Sequence, residues 1–328
     1  MQIIREKDQR KHERKIFKQF LKKKEFSEFE KEILKLLRGT LGVSYNFYHE
    51  NFHRYLMDNK ETLNFLIKDL DIESIKVINT ILNDAEYISK NNFVDILRDF
   101  FNNDEKIMKH LELINAYRHL KLSVNIYDQS VFDYKHGLPF LPKKALKFLN
   151  NKDFIDCGAY IGGSAIIFEK YYNPRKIYAF EPEKENYAHM LNAIKFNDLK
   201  KVVPIEIGVG SKEEKVSFLP MQSLSKVISD DSDNKIEITT LDKYVFDRNL
   251  DVGLIKMDVE GFELNALKGA ERTINQFKPV LSLSIYHNAE QFINVIKFVK
   301  ELALDYKIII RHLSDIPIIE TYLIAWQD

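Results

Sequence analysis

Cysteine occurs once in 328 residues, so no internal disulfide is available. Cys157 closes an apolar run, which marks it as a small packing residue and not a nucleophile, and a reducing, cytoplasmic setting is the simplest expectation. Net charge is lacking too: 49 basic and 49 acidic residues balance, so no field predicts a nucleic-acid partner. No apolar run approaches the ~20 residues that cross a bilayer. The first thirty residues, rich in lysine and arginine, lack an apolar segment with a small-residue cleavage site, so no signal peptide is expected. With 45% apolar residues, a soluble globular protein of one large or two smaller domains is expected.

Proline and glycine are scarce and unevenly placed. All eight prolines lie at or after Pro139, and only Gly39 and Gly42 of the eleven glycines precede Gly137. Before that shift, apolar residues recur at helical spacing: Ile72, Ile75, Ile78, Ile81, Leu82, Ala85 and Ile88, then Ile107, Leu111, Ile114 and Tyr117. Thr62, Asp71, Asn92 and Asn103 stand near helix starts. The reading is an all-helical domain over 1–122, a connecting segment over 123–150, and a second domain over 151–328. The first twenty-four residues carry ten basic and three acidic side chains around Ile16, Phe17, Phe20 and Leu21. Such a helix would either touch an anionic membrane face peripherally or pack, partly solvated, on its own domain.

After residue 150, short apolar runs alternate with helical segments, the pattern of a parallel sheet with crossover helices, an α/β fold. Strands are predicted near 152–157, 175–181, 202–207, 253–258, 280–286, 306–311 and 320–326. The last two are separated by only 313–319, too short for a crossover helix, so they should be antiparallel. That gives a seven-stranded, Rossmann-like sheet with one reversed strand at its end. Extended pieces at 215–219 and 235–240 flank the polar run Ser229–Asn234, read as a solvated loop or hairpin tip.

Where the first strand ends, Asp156-Cys157-Gly158-Ala159-Tyr160-Ile161-Gly162-Gly163 forms a glycine turn. A dinucleotide site uses G-x-G-x-x-G to bring a pyrophosphate to a helix N-terminus. Here no glycine stands two residues after Gly158, which disfavours a nicotinamide-dependent oxidoreductase. Glu181 follows the second strand at the offset where an acid holds two ribose hydroxyls.

Four blocks in order, Asp156–Gly163, Ala179-Phe180-Glu181-Pro182, Thr240-Leu241-Asp242, and Lys256–Gly261 with Leu267–Ala270, make residues 150–328 resemble the FkbM family of S-adenosylmethionine-dependent methyltransferases. Tyr286-His287, Arg311-His312 and Glu320-Thr321 are similar to a subset of that family. The resemblance implies a class I methyltransferase fold, S-adenosylmethionine as cofactor, and O-methylation of a sugar, glycan or glycosylated small molecule. It also implies that Asp156, Gly158 and Gly162 line the methionine end, that Glu181 holds the ribose, and that Gly208-Val209-Gly210 borders the adenine. Ala159 and Tyr160 complete the turn. Glu206, inside a predicted strand, is not matched to the adenine.

An alcohol is a weak nucleophile until its proton leaves, so acids or histidines at strand ends are the catalytic candidates. Asp258 and Glu260 follow the fourth strand. They would divide base and orienting roles or hold a divalent cation such as Mg²⁺, unless Glu260 only charges the next helix N-terminus. His287, at the end of the fifth strand, is the leading histidine: base, third metal ligand or structural residue. His312 would join the site, and Arg311 would hold an anionic or polyol substrate. Lys256 should pair with a neighbouring acid, and Tyr286 should pack. The competing class is an inactive adaptor built on a relic Rossmann module. For the helical domain, acceptor selection, oligomerisation and tethering all remain open.

Overall fold

The computed structural model describes residues 51–124, 126–219, 226–228 and 235–328, together with positions 15, 17–19, 22, 31 and 34. Most of the basic N-terminal segment and the run Ser229–Asn234 lie outside the described residues, as do the expectations attached to them.

Helices over Phe52–Asp58, Lys60–Ile67, Ile72–Lys90, Phe93–Asn102 and Asp104–Tyr117 precede the sheet. Asp71, Asn92 and Asn103 are N-caps, each accepting the N–H of the residue three further on. Thr62 is not a cap. It lies inside Lys60–Ile67, whose N-cap position is Asn59. Helix Ile72–Lys90 buries Ile78, Ile81, Ala85 and Ile88, the stripe that its spacing predicts.

Seven strands form the main sheet: β1 Asp153–Cys157, β2 Lys176–Phe180, β3 Val202–Ile205, β8 Val252–Met257, β9 Val280–Ser284, β10 Lys307–His312 and β11 Thr321–Trp326. Their spatial order is β3-β2-β1-β8-β9-β11-β10. β11 runs antiparallel to both β9 and β10, so the reversed strand lies one place in from the edge. The order turns back at β1/β8, and the carboxyl ends of the strands there are where sheets of this kind place a ligand crevice. A second sheet, β4-β7-β5-β6, joins β4 Gly208–Val209, β5 Glu214–Leu219, β6 Lys226–Ile228 and β7 Lys235–Thr239. Two of its strands were expected. β6 and β4 are too short to leave a periodic signal.

The helical part does not stand apart. Its buried residues share one apolar cluster with those of the sheet, Leu97 and Ile114 with Ile255 and Leu283. Helix Ile72–Lys90 packs along β10. There the Ile310 N–H donates to Ser74 Oγ (2.8 Å), and Arg311 Nη2 lies 2.9 Å from Asp71 Oδ2. The edge strand is thereby covered, which removes a template for pairing with another chain.

Two of the sequence blocks are scaffolding. Thr240 caps helix Leu241–Asp247, and the Asp242 carboxylate accepts the N–H groups of Thr273 (2.7 Å) and Arg272 (3.0 Å). The Asp242 N–H donates to Gly269 O (2.8 Å), and a Cβ on Gly269 would lie 1.9 Å from Gly210 O. Thr240-Leu241-Asp242 and Leu267–Ala270 thus lock to each other behind the sheet.

Candidate active site

The glycine turn is built by backbone contact. The N–H groups of Gly158 and Ala159 both donate to Phe180 O (3.0 and 2.9 Å), and the Asp258 N–H donates to Cys157 O (3.0 Å). Gly158 has φ +76°, and a Cβ there would lie 1.8 Å from Asp258 O. Only glycine lets β1 and β8 approach this closely. Gly162 has φ +90° and opens the helix Gly163–Tyr171. Cys157 is buried at the core, and burial, reinforced by Asp156, pushes its thiol up. It is a packing residue.

Beneath the turn Asp156 is fully buried. Lys256 Nζ stands 3.1 Å from its Oδ1 and donates to Gly158 O (2.7 Å). The expected acid partner of Lys256 is therefore Asp156. Its carboxylate supports the turn from below and is not open to the crevice.

Glu181, just past β2, is 6% exposed. Its Oε2 accepts the Tyr160 N–H and its Oε1 the Glu183 N–H, each at 2.9 Å. Burial outweighs those hydrogen bonds and pushes the carboxyl up to about 7. Tyr160 itself is left-handed, with φ 49°, and its phenol is raised first by burial, then by Asp128, Glu260, Glu183 and Glu181. This tyrosine thus stands between two groups of acids. Gly208 and Val209 are buried in β4, with Gly208 near Pro182. Glu206 does not lie in a strand. It follows β3 directly and is exposed.

The second group of acids gathers beyond β8, β9 and the β10–β11 loop. Asp258 Oδ2 accepts from Tyr322 Oη (2.7 Å) and Oδ1 from Tyr286 Oη (3.3 Å). Tyr286 is within the same 3.3 Å of Glu320 Oε1, so it is a polar bridge and not only a packing residue. His287 Nε2 lies 3.4 Å from both Asp258 Oδ1 and Glu260 Oε2, and its Nδ1 lies 3.0 Å from Glu263 Oε1. Burial alone would lower the imidazole, but the surrounding Glu263, Glu260 and Asp258 raise it to about 10, which makes it a cation at neutral pH. Burial raises Asp258 as well, yet Lys256, His287 and the Tyr322 hydrogen bond together bring it below its ordinary value. Glu260 and Glu320 are each pushed up to about 8, by burial first and then, among other charges, by Asp258. Asp128 rises to about 6, by burial and then Asp258.

Among the described residues, Asp258, Glu263 and His287 offer one oxygen or nitrogen each within 4.8 Å of one another. Glu260, expected in such a set, faces the opposite ring nitrogen from Glu263. The donors in place do not fit a cation: Glu263 Oε1 already accepts from the N–H of Val259 (2.9 Å), the N–H of Gly261 (3.3 Å), Ser284 Oγ (3.0 Å) and the His287 ring. Glu263, not Glu260, also stands at the N-terminus of the helix Glu263–Lys268.

Two expected residues lie elsewhere. Arg311 is pinned to Asp71 and to Ser74 Oγ (3.0 Å), so its guanidinium is spent on holding the helical part. His312 Nε2 bonds Ile316 O (2.9 Å), and burial pulls it down. Sequence reasoning missed Asp128, His136, Glu263 and Tyr322. Of these, His136 is buried, with Nε2 at 2.8 Å from Ser164 Oγ, and burial followed by Lys256 lowers it to about 3.

A seven-stranded sheet in this order, reversed at β11 and carrying a glycine turn at the end of β1, defines the class I methyltransferase fold. Residues 156–308 match the family model of the methyltransferase FkbM domain. The fold is similar to that of methyltransferase FkbM from Methylobacillus flagellatus, with a TM-score of 0.59 at 20% identity. The match covers 85% of this chain and 62% of that one, less than two-thirds of its length. An rRNA methylase from Streptococcus thermophilus is matched more loosely, with a TM-score of 0.37 and 11% identity over 56% of this chain and 91% of that one. No curated protein sequence matches.

Proposed function

We propose that the protein transfers a methyl group from S-adenosylmethionine to a hydroxyl of a sugar, glycan or glycosylated metabolite. The observation that carries this reading is one crevice with two unlike halves: the Gly158–Gly162 turn with Glu181, and the Asp258–His287–Tyr322 cluster. Across that gap Glu181 is among the acids that raise Glu260, and both raise the Tyr160 phenol.

The turn suits a nucleoside cofactor without a pyrophosphate, because its glycines give backbone clearance where a side chain would collide. Glu181, once ionised, would accept the ribose hydroxyls, and Glu206 stands past β3 where an adenine amine would be met. When bound, the cofactor supplies an electrophilic methyl on a sulfonium. The remaining work is to orient the acceptor oxygen in line, exclude water and remove a proton. Asp258 is the proton acceptor in this reading, since its carboxylate is kept ionised and faces the crevice, about 20% exposed. His287, as a cation, and Tyr322 hold that carboxylate in place. The oxygen preference comes from family resemblance.

Calorimetric titration with S-adenosylmethionine, S-adenosylhomocysteine and NAD, each with and without magnesium, tests the reading. Saturable binding of the first two and not of NAD is expected, independent of magnesium, and justifies an acceptor screen among sugar hydroxyls. Binding of NAD alone would favour an oxidoreductase, and no binding at all an inactive adaptor.

A further inference from the structure

We infer that Glu263 is the positioning residue of the acceptor half: one buried carboxylate oxygen fixes both the His287 ring and the turn that carries Asp258 and Glu260. The inference deepens the methyltransferase reading and rests on it only for what the positioned groups then do.

Two loops from different strands must meet here. The Asp258–Phe262 turn follows β8, and His287 follows β9. The turn is conformationally costly: Glu260 has φ 54° and Gly261 φ 94°, two successive left-handed residues, the first of which bears a side chain. Such a residue persists only where its surroundings hold it. Glu263 Oε1 does so by accepting the N–H groups of Val259 and Gly261, on either side of Glu260.

The same oxygen receives His287 Nδ1 at 3.0 Å and Ser284 Oγ at 3.0 Å. Because Nδ1–H donates there, the ring cannot flip without losing that bond, and Nε2 must face the crevice. Nε2 has no hydrogen-bond partner and sits 3.4 Å from each of Asp258 Oδ1 and Glu260 Oε2. This buried ring atom is aimed between two carboxylates that the turn presents. A carboxylate behind a histidine fixes ring orientation and proton placement in other catalytic centres for the same reason. Glu263 is fully buried and does not touch the crevice, so its role is exerted through its neighbours.

The remaining titratable groups around His287 are Asp258 and Glu260 from the β8 turn and, through Tyr286, Glu320 from the last loop. None of these reaches Nδ1, where Glu263 Oε1 at 3.0 Å is the nearer partner and Ser284 Oγ lies at 3.5 Å, so the variants at 263 decide what a probe of Nδ1 reports.

The test is a ring-proton and nitrogen NMR experiment on the full-length protein labelled at histidine, with no cofactor or acceptor added. The wild type should show a hydrogen-bonded, downfield Nδ1–H that disappears in His287→Asn, which assigns it. Glu263→Gln should lose or strongly shift that signal, whereas Asp258→Asn and Glu260→Gln should keep it. If Glu263→Gln does not fold, Glu263→Asp, which keeps the charge and shortens the reach, should shift the signal instead. Absence of the downfield proton in the wild type, or its persistence unchanged in the folded variants at 263, overturns the inference. Because no cofactor is involved, that result is separate from failure of the methyltransferase reading. Titration with S-adenosylhomocysteine should then show unchanged affinity in Glu263→Gln, and turnover on an identified acceptor should fall in kcat with little change in KM for the cofactor.

Discussion

Lys256 and Asp156 form a buried ion pair, 3.1 Å apart on neighbouring strands, directly beneath the glycine turn. Neither side chain is more than 2% exposed, so each is tolerable only because of the other. Removing one partner strands a charge in the core, and breaking such a pair typically costs ~3–5 kcal/mol. Lys256→Met and Asp156→Leu are each expected to be destabilised by about that much. The double variant should recover most of the loss, because apolar replacements of similar volume are often neutral. Urea denaturation of the four proteins measures the coupling, and additive losses would show that the pair is not a unit.

Gly158 permits the contact between that turn and the β8 loop. An alanine there would place Cβ 1.8 Å from a backbone oxygen at φ +76°. Left-handed backbone for a residue with a side chain costs ~1–3 kcal/mol before any clash is counted. Gly158→Ala should therefore lose at least ~2 kcal/mol and bind S-adenosylhomocysteine far more weakly, as calorimetry would register. Gly163→Ala is the control. It has no positive φ, and its nearest neighbours are the side chains of Phe132 and Val131 at 3.3 Å, so its loss should be smaller.

The sheet was legible because strands of a covered sheet read as short continuous apolar runs, and all seven gave their strand ends to within about two residues. Lys256 was legible as a paired residue, because a lysine inside such a run must find an acid. Its partner was not, since strand register is not written in either segment alone. Asp128 lies in the connecting segment and Tyr322 in the last strand, both outside the 156–308 family domain. In sequence they are one polar loop residue among many and one tyrosine of sixteen. Glu263 was hidden for another reason: at the start of a helix a glutamate reads as surface charge, and only the fold turns it inward. Arg311 was misassigned because a guanidinium beside a strand end suits a ligand and a docking contact equally.

The acids of the crevice set a pH dependence of stability. Glu260 and Glu320 have an ordinary value of 4.5 and titrate at about 8 in the folded chain. Between those values the folded state holds protons that the unfolded state has released. Stability must then fall as pH rises through this window. The buried His136, lowered from 6.5, acts in the opposite sense only up to about neutral pH, so melting temperature should decline stepwise from about pH 7 to about pH 8.5, and Glu320→Gln, which cannot ionise, should flatten the slope. A melting temperature that rose across the same range would contradict the burial of these carboxyls.

The contact between helix Ile72–Lys90 and β10 gives a prediction about what Arg311 does not do. Its bonds to Asp71 and Ser74 hold the helical part to the sheet edge. Hydrogen bonds to a charged group contribute about 1.5–3 kcal/mol where sheltered and less where exposed, so Arg311→Ala should lose ~1–2 kcal/mol. Cofactor affinity and turnover per folded molecule should stay at the wild-type level. A raised KM for an anionic acceptor in this variant would return Arg311 to the substrate site.

In the proposed reading, Asp258 separates proton removal from cofactor binding. The carboxylate is ionised in the folded chain and carries Tyr322, Tyr286 and His287 around it, while Glu181 and the glycine turn lie in the other half of the crevice. Asp258→Asn keeps the shape and removes the base. A positioned base contributes roughly 10²–10⁴-fold, so turnover on an acceptor found by screening should fall by about that factor with S-adenosylmethionine affinity retained. Tyr322→Phe leaves the base in place and removes one bond that holds it, so its loss should be smaller and grow as pH falls, because that bond helps to keep Asp258 ionised. Rates measured from pH 6 to 9 for the three proteins distinguish the cases. Equal losses in both variants at every pH would make Asp258 a structural anchor and move proton removal to another group.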